Sequence, residues 1–286
     1  MGGQNEIRIY SPSEAEAKNI ADQAIREILR IENAYSRYLP NSLISQINLH
    51  AGKEALKLDS EAVHLFQVAD HWFRTSNGLF DITSGVMRSI WNAQINSLPG
   101  QQEINAILKK VGWEKVLFVN NEIGLPSEGM ELDLGGIAKE YAVDRAAQIL
   151  DEQGIKNGLI NLGGDIRILG PHLDGSPWPV QIAHPRMTGQ ILATINIAKG
   201  SLATSGDYIR FRDIAGKRYG HILNPKTGQP VSYWQSATVL APLCLLAGHA
   251  STLTMLLEDR AKALLEQMKL QFLLVGPSGE IIQNLE

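Results

Sequence analysis

The chain has 286 residues, is 44% hydrophobic and 20% charged, and carries a formal net charge of -4. That length supports one large α/β or α+β unit or two small domains with a sizeable core, while 26 Lys plus Arg against 30 Asp plus Glu, with no long run of like charge, excludes a protein that tracks a nucleic-acid backbone. No segment reaches the ~18 apolar residues of a membrane span, and one cysteine, Cys244 in the apolar run APLCLLAG, excludes a disulfide framework or a multi-cysteine metal site and reads as a buried, inert thiol.

The opening MGGQNEIRIY has neither an apolar h-region nor a lipidation cysteine, so the compartment is not read from this end. Ser11, with Pro12 after it and Glu14 three residues on, predicts a capping box. Ile20, Ala24, Ile28, Ile31 and Tyr35 then share one face of a long amphipathic helix. A second helix is expected over about residues 60 to 75, where Leu65, Ala69 and Trp72 recur at helical spacing and Asn77-Gly78 supplies the stop. A third is expected over residues 101 to 112. Past residue 114 come short β-type runs, KVLFVN, GLINLGG, DIRILG, WPVQIAH and ILATINIA, bounded by Gly, Pro and Asp. Helices over 135 to about 153 and roughly 243 to 257 interrupt them, and QFLLVGPSGEII closes the chain as a hairpin. Without a strict βαβ repeat or a flexible linker, one continuous α+β domain over residues 1 to 286 with a large, mostly antiparallel sheet fits best.

Three glycine-bearing turns are candidate anion sites: DLGGIAK (133 to 139), NLGGDIRILG (161 to 170) and SLATSGDY (201 to 208). Glycine removes the side chain, and a helix start such as Ile137 to Lys139 offers unpaired donors and a positive dipole end. Taken singly, each is explained better by tight packing at an element boundary. None matches G-x-G-x-x-G or the Walker pattern. In GKRYGHILNPKTGQP (216 to 230), His221 ends a strand beside Asn-Pro and Thr-Gly turn signals, a good position for a general base, although a lone histidine bonded to backbone would look the same. His50, His64, His71, His172, His184 and His249 share no metal-ligand spacing and read as structural or surface residues.

In chain order, YSRYLPNSLISQIN, NGLFDITSGVM, ELDLGGIAKEYAVDRA, NLGGDIRILG, WPVQIAHP, LATSGDYIRF, YGHILNPKTGQPV, and ATVLAP followed by AGHASTLTMLL resemble the motifs of the ApbE family, the FAD:protein FMN transferases, from about residue 7 onward. The resemblance implies a single T-fold-like domain that binds FAD, uses Mg²⁺ at the diphosphate, and passes FMN to a threonine hydroxyl of a partner flavoprotein, releasing AMP. It implies a periplasmic or cell-envelope setting. It assigns His221 as base for the acceptor hydroxyl, and Gly135, Gly136 and Lys139 as the place where bare backbone and a cation meet the dinucleotide. Tyr38, Ser42, Phe80, Asp81, Gly163, Gly164, Asp165, Ser205 and Gly206 fall in blocks that line the family's FAD pocket. The metal would be held by the main-chain carbonyl of Ala138 and by Thr252.

The chain departs from the pattern at three positions. Gly248 stands where the family's metal-binding aspartate is expected, Glu140 where a glycine is usual, and Asn224 where an aspartate is usual. Mg²⁺ wants near-octahedral oxygen ligands including a carboxylate, so Gly248 should leave the metal weakly held and dependent on FAD phosphates. Two other outcomes are compatible with these residues: a FAD-binding homologue without transfer activity, and a metal-dependent FAD diphosphatase that needs no acceptor. A metabolic enzyme using the same turns for another nucleotide would bind without preferring flavin.

Overall fold

A computed structural model describes residues 3–92, 94–208 and 210–285. Met1 and Gly2 of the opening segment, Ile209 of the LATSGDYIRF block and the last residue of the chain lie outside it. The chain begins with strand β1 (Asn5–Ile9) and helix α1 (Glu14–Tyr35). Ser13, not Ser11, is the N-cap, its hydroxyl accepting from the Glu16 amide at 3.3 Å. Starting there places both Glu14 and Glu16 in the first turn, where carboxylates favour the positive end of the helix. Pro12 therefore precedes the helix. The buried face is Ile20, Ala24, Ile28, Ile31 and Tyr35, as the periodicity requires, and each isoleucine contributes roughly 2–3 kcal/mol of burial.

Helix α2 (Leu43–Leu49), strand β2 (Leu56–Lys57) and helix α3 (Ser60–Thr75) follow. Asn77 and Gly78 both take positive φ, 52° and 79°, and stop α3 where expected. A 3₁₀ helix over Ile82–Ser89, helix α4 (Gln101–Leu108), and strands β3 (Leu117–Val119) and β4 (Glu122–Gly124) come next. Helix α4 ends four residues before the 112 expected, because Lys109 to Val111 form turns that lead into Gly112 at φ 141°. The KVLFVN strand joins a small separate sheet of order β2-β4-β3.

The second half holds helix α5 (Ala138–Glu152), strands β5 (Gly158–Leu162), β6 (Asp165–Gly170), β7 (Trp178–Ala183), β8 (Ile191–Ile197), β9 (Gly200–Gly206), β10 (Phe211–Ile214), β11 (Lys217–Gly220) and β12 (Ser236–Ala241), then helix α6 (Cys244–Leu257), helix α7 (Ala261–Gln267), and strands β13 (Gln271–Val275) and β14 (Ile281–Gln283). Seven strands form the central sheet in the order β1-β5-β6-β9-β12-β13-β14, every neighbouring pair antiparallel. The hairpins β7-β8 and β10-β11 stand apart from it. SLATSGDY is not a turn: residues 200–206 are a central strand, flanked by β6 and β12. Its small residues misread as turn-formers because they suit the close approach of α6 across the sheet face.

Helix α6 is apolar nearly all round, and its residues Ala247 to Ser251 and Leu253 to Leu256 are buried between the sheet and α5. Its N-cap, Leu243, has no capping side chain. Asp144 of α5 supplies the cap instead, its two carboxylate oxygens accepting from the amides of Cys244 and Leu245 at 2.9 Å each. Cys244 is fully buried, and burial pushes its thiol well up, so it is inert as expected.

Candidate active site

The seating of α6 against β9 and α5 opens a cleft at the strand ends, about 1330 Å³ counted out to its mouth. Its base carries three hydroxyls. Ser205 Oγ at the end of β9 lies 2.9 Å from Ser251 Oγ and 3.2 Å from Thr252 Oγ1 of α6. Beside them, Lys139 Nζ of α5 meets Asp165 Oδ2 of β6 at 2.5 Å. Burial opposes the charge on Lys139, but Asp165 and Glu140 outweigh it and leave its pKa raised. Glu140 is only 5% exposed, and burial followed by the negative charge of Asp165 pushes its carboxyl well up. Asp165 is raised too, by burial, with Lys139 pulling the other way. Lys139, Asp165 and Glu140 thus form one buried cluster of charged groups at the cleft base. Glu140 Oε2 is buried and has no hydrogen-bond partner among the described residues.

The walls supply cations and bare backbone. Gly135, Gly136 and Gly163 line the cleft together with Arg88 of the 3₁₀ helix and Arg210. A Cβ at Gly135 would fall 2.9 Å from Asp133 Oδ1, which accepts from the Gly135 amide at 2.8 Å, so a side chain there would displace the Asp133 carboxylate. Asp133 also pairs with Arg88 at 3.0 Å and with Arg37 at 3.4 Å, orienting both guanidiniums. The amides of Ile137 and Ala138, expected to be free, both donate to Leu134 O, at 2.9 and 2.8 Å, so the anion-binding capacity of this turn rests on the glycines and Lys139.

His221 follows β11 at the mouth. Its amide and its ring Nδ1 both lie 3.1 Å from Arg210 O. A carbonyl only accepts, so Nδ1 carries the proton and Nε2 keeps its lone pair. Desolvation by the cleft walls, helped by the charges of Arg210, Arg88 and Lys139, pushes its pKa down to about 4. Water still reaches one side of the ring, and the consequence for chemistry is the direction: the imidazole is neutral at pH 7. The loop beyond it is rigid, with Asn224 Oδ1 accepting from the amides of Lys226 and Thr227 and Gly228 at φ 71°.

Phe80, Asp81, Gly135, Gly136, Lys139, Gly163, Asp165, Ser205, Gly206, His221 and Thr252 thus meet in one cleft. Asp81 does so with both oxygens engaged, by Thr83 and by the Trp113 amide. Ser42 does not line it: it is buried, donates to Ser36 O at 2.6 Å and caps α2. Tyr38 lies outside the lining as well, 75% exposed, its hydroxyl accepting from Arg88 at 2.8 Å. Gly164, at φ 98°, does not line it, and Ala138 is buried at the start of α5. Arg88, Arg210, Asp133 and Ser251 went unmarked in the sequence, since nothing in their local pattern separates them from ordinary surface or helix residues. The other histidines do not gather; His249 is stacked between Trp72 and Phe80, with ring centroids at 5.1 and 4.8 Å. Among the described residues, no three His, Cys, Asp or Glu side chains are grouped to hold a metal. Oxygen atoms of mixed origin, a carboxyl, three hydroxyls and helix-start backbone, are nonetheless the donor type that suits Mg²⁺.

This chain is 30% identical over 284 residues to a FAD:protein FMN transferase of Vibrio cholerae, covering 96% of this chain and 85% of that protein. A FAD:protein FMN transferase of Haemophilus influenzae is 31% identical over 274 residues. The crystal structure of the ApbE protein from Thermotoga maritima superposes with a TM-score of 0.90 at 32% identity, covering 99% of this chain and 94% of that one. The flavin transferase ApbE from Vibrio cholerae gives 0.88 at 27% identity, covering 100% and 94%. The ApbE family profile matches residues 1–274, and this chain belongs to the ApbE family.

Proposed function

We propose that this chain is a FAD:protein FMN transferase, working as one domain, which binds FAD in the cleft and attaches FMN to a threonine of an acceptor flavoprotein. The observation that carries the reading is His221, held by Arg210 O with a free Nε2, at the mouth of a cleft whose walls present Arg88, Arg210 and Lys139. The diphosphate of FAD lies against Gly135, Gly136 and these cations, and the exposed ring of Tyr38 at the entrance offers a stacking face to an aromatic base. The acceptor enters at His221. Its threonine Oγ attacks the FMN phosphorus, the proton passes to His221 Nε2, and the bond to the AMP oxygen breaks as the Oγ–P bond forms. Negative charge gathering on the phosphoryl oxygens is met by Lys139, Arg88 and Arg210, of which Lys139 is already fixed by Asp165 and Arg88 by Asp133.

Mg²⁺, when bound, neutralises the diphosphate and improves AMP as a leaving group. Ala138 O and Thr252 Oγ1 would hold it, and the oxygen-only donor set of the cleft base fits that ion. An envelope location belongs to the same reading and is tested by fractionating cells that express the natural gene.

Incubation with FAD, Mg²⁺ and an acceptor flavoprotein should give a fluorescent flavin-labelled band and one AMP per flavin attached, both lost in His221→Ala. AMP and free FMN without acceptor would mean a diphosphatase. Bound FAD with neither product would mean a flavin-binding protein only.

A further inference from the structure

Gly248 and Glu140 face each other across the base of the cleft, one on α6 and one on α5. A Cβ built on Gly248 would sit on Glu140 Cγ and within 3.0 Å of both Cδ and Oε1. The two positions therefore share a single volume, and a side chain at 248 cannot coexist with the glutamate as it stands. Glu140 is 95% removed from solvent, lines the cleft, and its Oε2 has no hydrogen-bond partner among the described residues. A buried, unpaired carboxyl oxygen is destabilising unless something else engages it. The hydroxyls of Ser251 and Thr252 lie one turn further along α6 in the same lining, beside Ser205, and among the described residues that lining holds no Cys and His221 as its one His. Oxygen donors of this kind select a hard divalent cation over zinc or copper.

We infer that Glu140 is the carboxylate ligand of a divalent-cation site at the base of this cleft, supplied from α5 into the space that Gly248 leaves open on α6. The cation lies between Glu140 Oε2 and the hydroxyls of α6, on the protein side of the diphosphate, and so is held by the chain before FAD arrives. Gly248 is then no loss of a ligand. It is the steric condition for the glutamate to reach. Asp165 is engaged by Lys139 at 2.5 Å. The inference rests on the cleft being the diphosphate site, and FAD binding is measured separately so that the two can fail independently.

The test is Mn²⁺ binding to the whole chain without nucleotide, read from loss of the free-ion EPR signal, with Mg²⁺ as competitor and FAD affinity measured by flavin fluorescence. Wild type should bind about one Mn²⁺. Glu140→Gln, which keeps the shape, should weaken it more than about tenfold, the lower end of what loss of even an outer-shell partner does to a metal site. Gly248→Asp alone should fold poorly or unfold at lower temperature, because the new side chain meets Glu140. The double variant Glu140→Gly with Gly248→Asp should recover both the melting temperature and Mn²⁺ binding, carrying the carboxylate on the other helix. Wild-type Mn²⁺ affinity in Glu140→Gln, or no Mn²⁺ binding by a wild type that binds FAD, overturns the inference and leaves the flavin reading intact. Loss of FAD binding by wild type would instead overturn the reading of the cleft.

Discussion

His249 makes the fold acid-labile in a way that can be isolated. Its ring is fully buried between Trp72 and Phe80, Nδ1 lies 2.5 Å from Leu245 O, and Nε2 has no partner among the described residues. Desolvation dominates and pushes its pKa down to about 4, against 6.5 in the unfolded chain. Between those values the unfolded chain takes up a proton that the folded ring refuses, so stability falls as pH drops from 6.5 and levels off below 4. The gap is worth about 3 kcal/mol. In His249→Phe a flat ring keeps both stacking partners and cannot titrate; at pH 7.5 it should be destabilised by about 1 kcal/mol through overpacking. Urea unfolding of both proteins at pH 7.5, 5.5 and 4.5 gives the difference in stability, in which the carboxylates and His221 cancel. Wild type should lose about 2.5 kcal/mol relative to the variant over that range and become the less stable of the two. A difference that stays constant with pH would refute the reasoning, since it would mean that the ring takes its proton in the folded state as readily as in the unfolded one.

The low pKa of His221 comes partly from Arg88, Arg210 and Lys139, so a diphosphate lying among them should raise it; the imidazole resonances followed by NMR should titrate nearer neutrality with FAD bound than without. Lys139→Met removes the ammonium from Asp165 and from the diphosphate, and should weaken FAD about tenfold or more by fluorescence titration, the equivalent of one charge-assisted hydrogen bond. Asp144→Ala uncaps α6 and should lower stability by about 1–2 kcal/mol in a denaturant titration while leaving the flavin affinity unchanged, because Asp144 touches Cys244 and Leu245 amides and not the cleft.

The amino-acid order by itself determined the amphipathic face of α1, the stop of α3 at Asn77-Gly78, the closing hairpin, the α+β class, and, through the spaced DLGGIAK and GHILNPKTG blocks, the family. Those features are local or depend on ordered motifs, and 3.6-residue periodicity, positive-φ turn chemistry and motif order are all visible along a chain. Tertiary structure decided the rest. The run from Gly200 to Gly206 became a central strand because β6 and β12 pair with it and a helix of small residues packs over it, neither of which is encoded within those seven positions. Asp144, Arg88 and Arg210 owe their roles to groups brought close from distant parts of the sequence. Glu140 and Gly248 appear in the sequence as two unrelated departures, 108 positions apart. Only the packing of α5 against α6 makes them one feature, because two side chains cannot occupy the same volume.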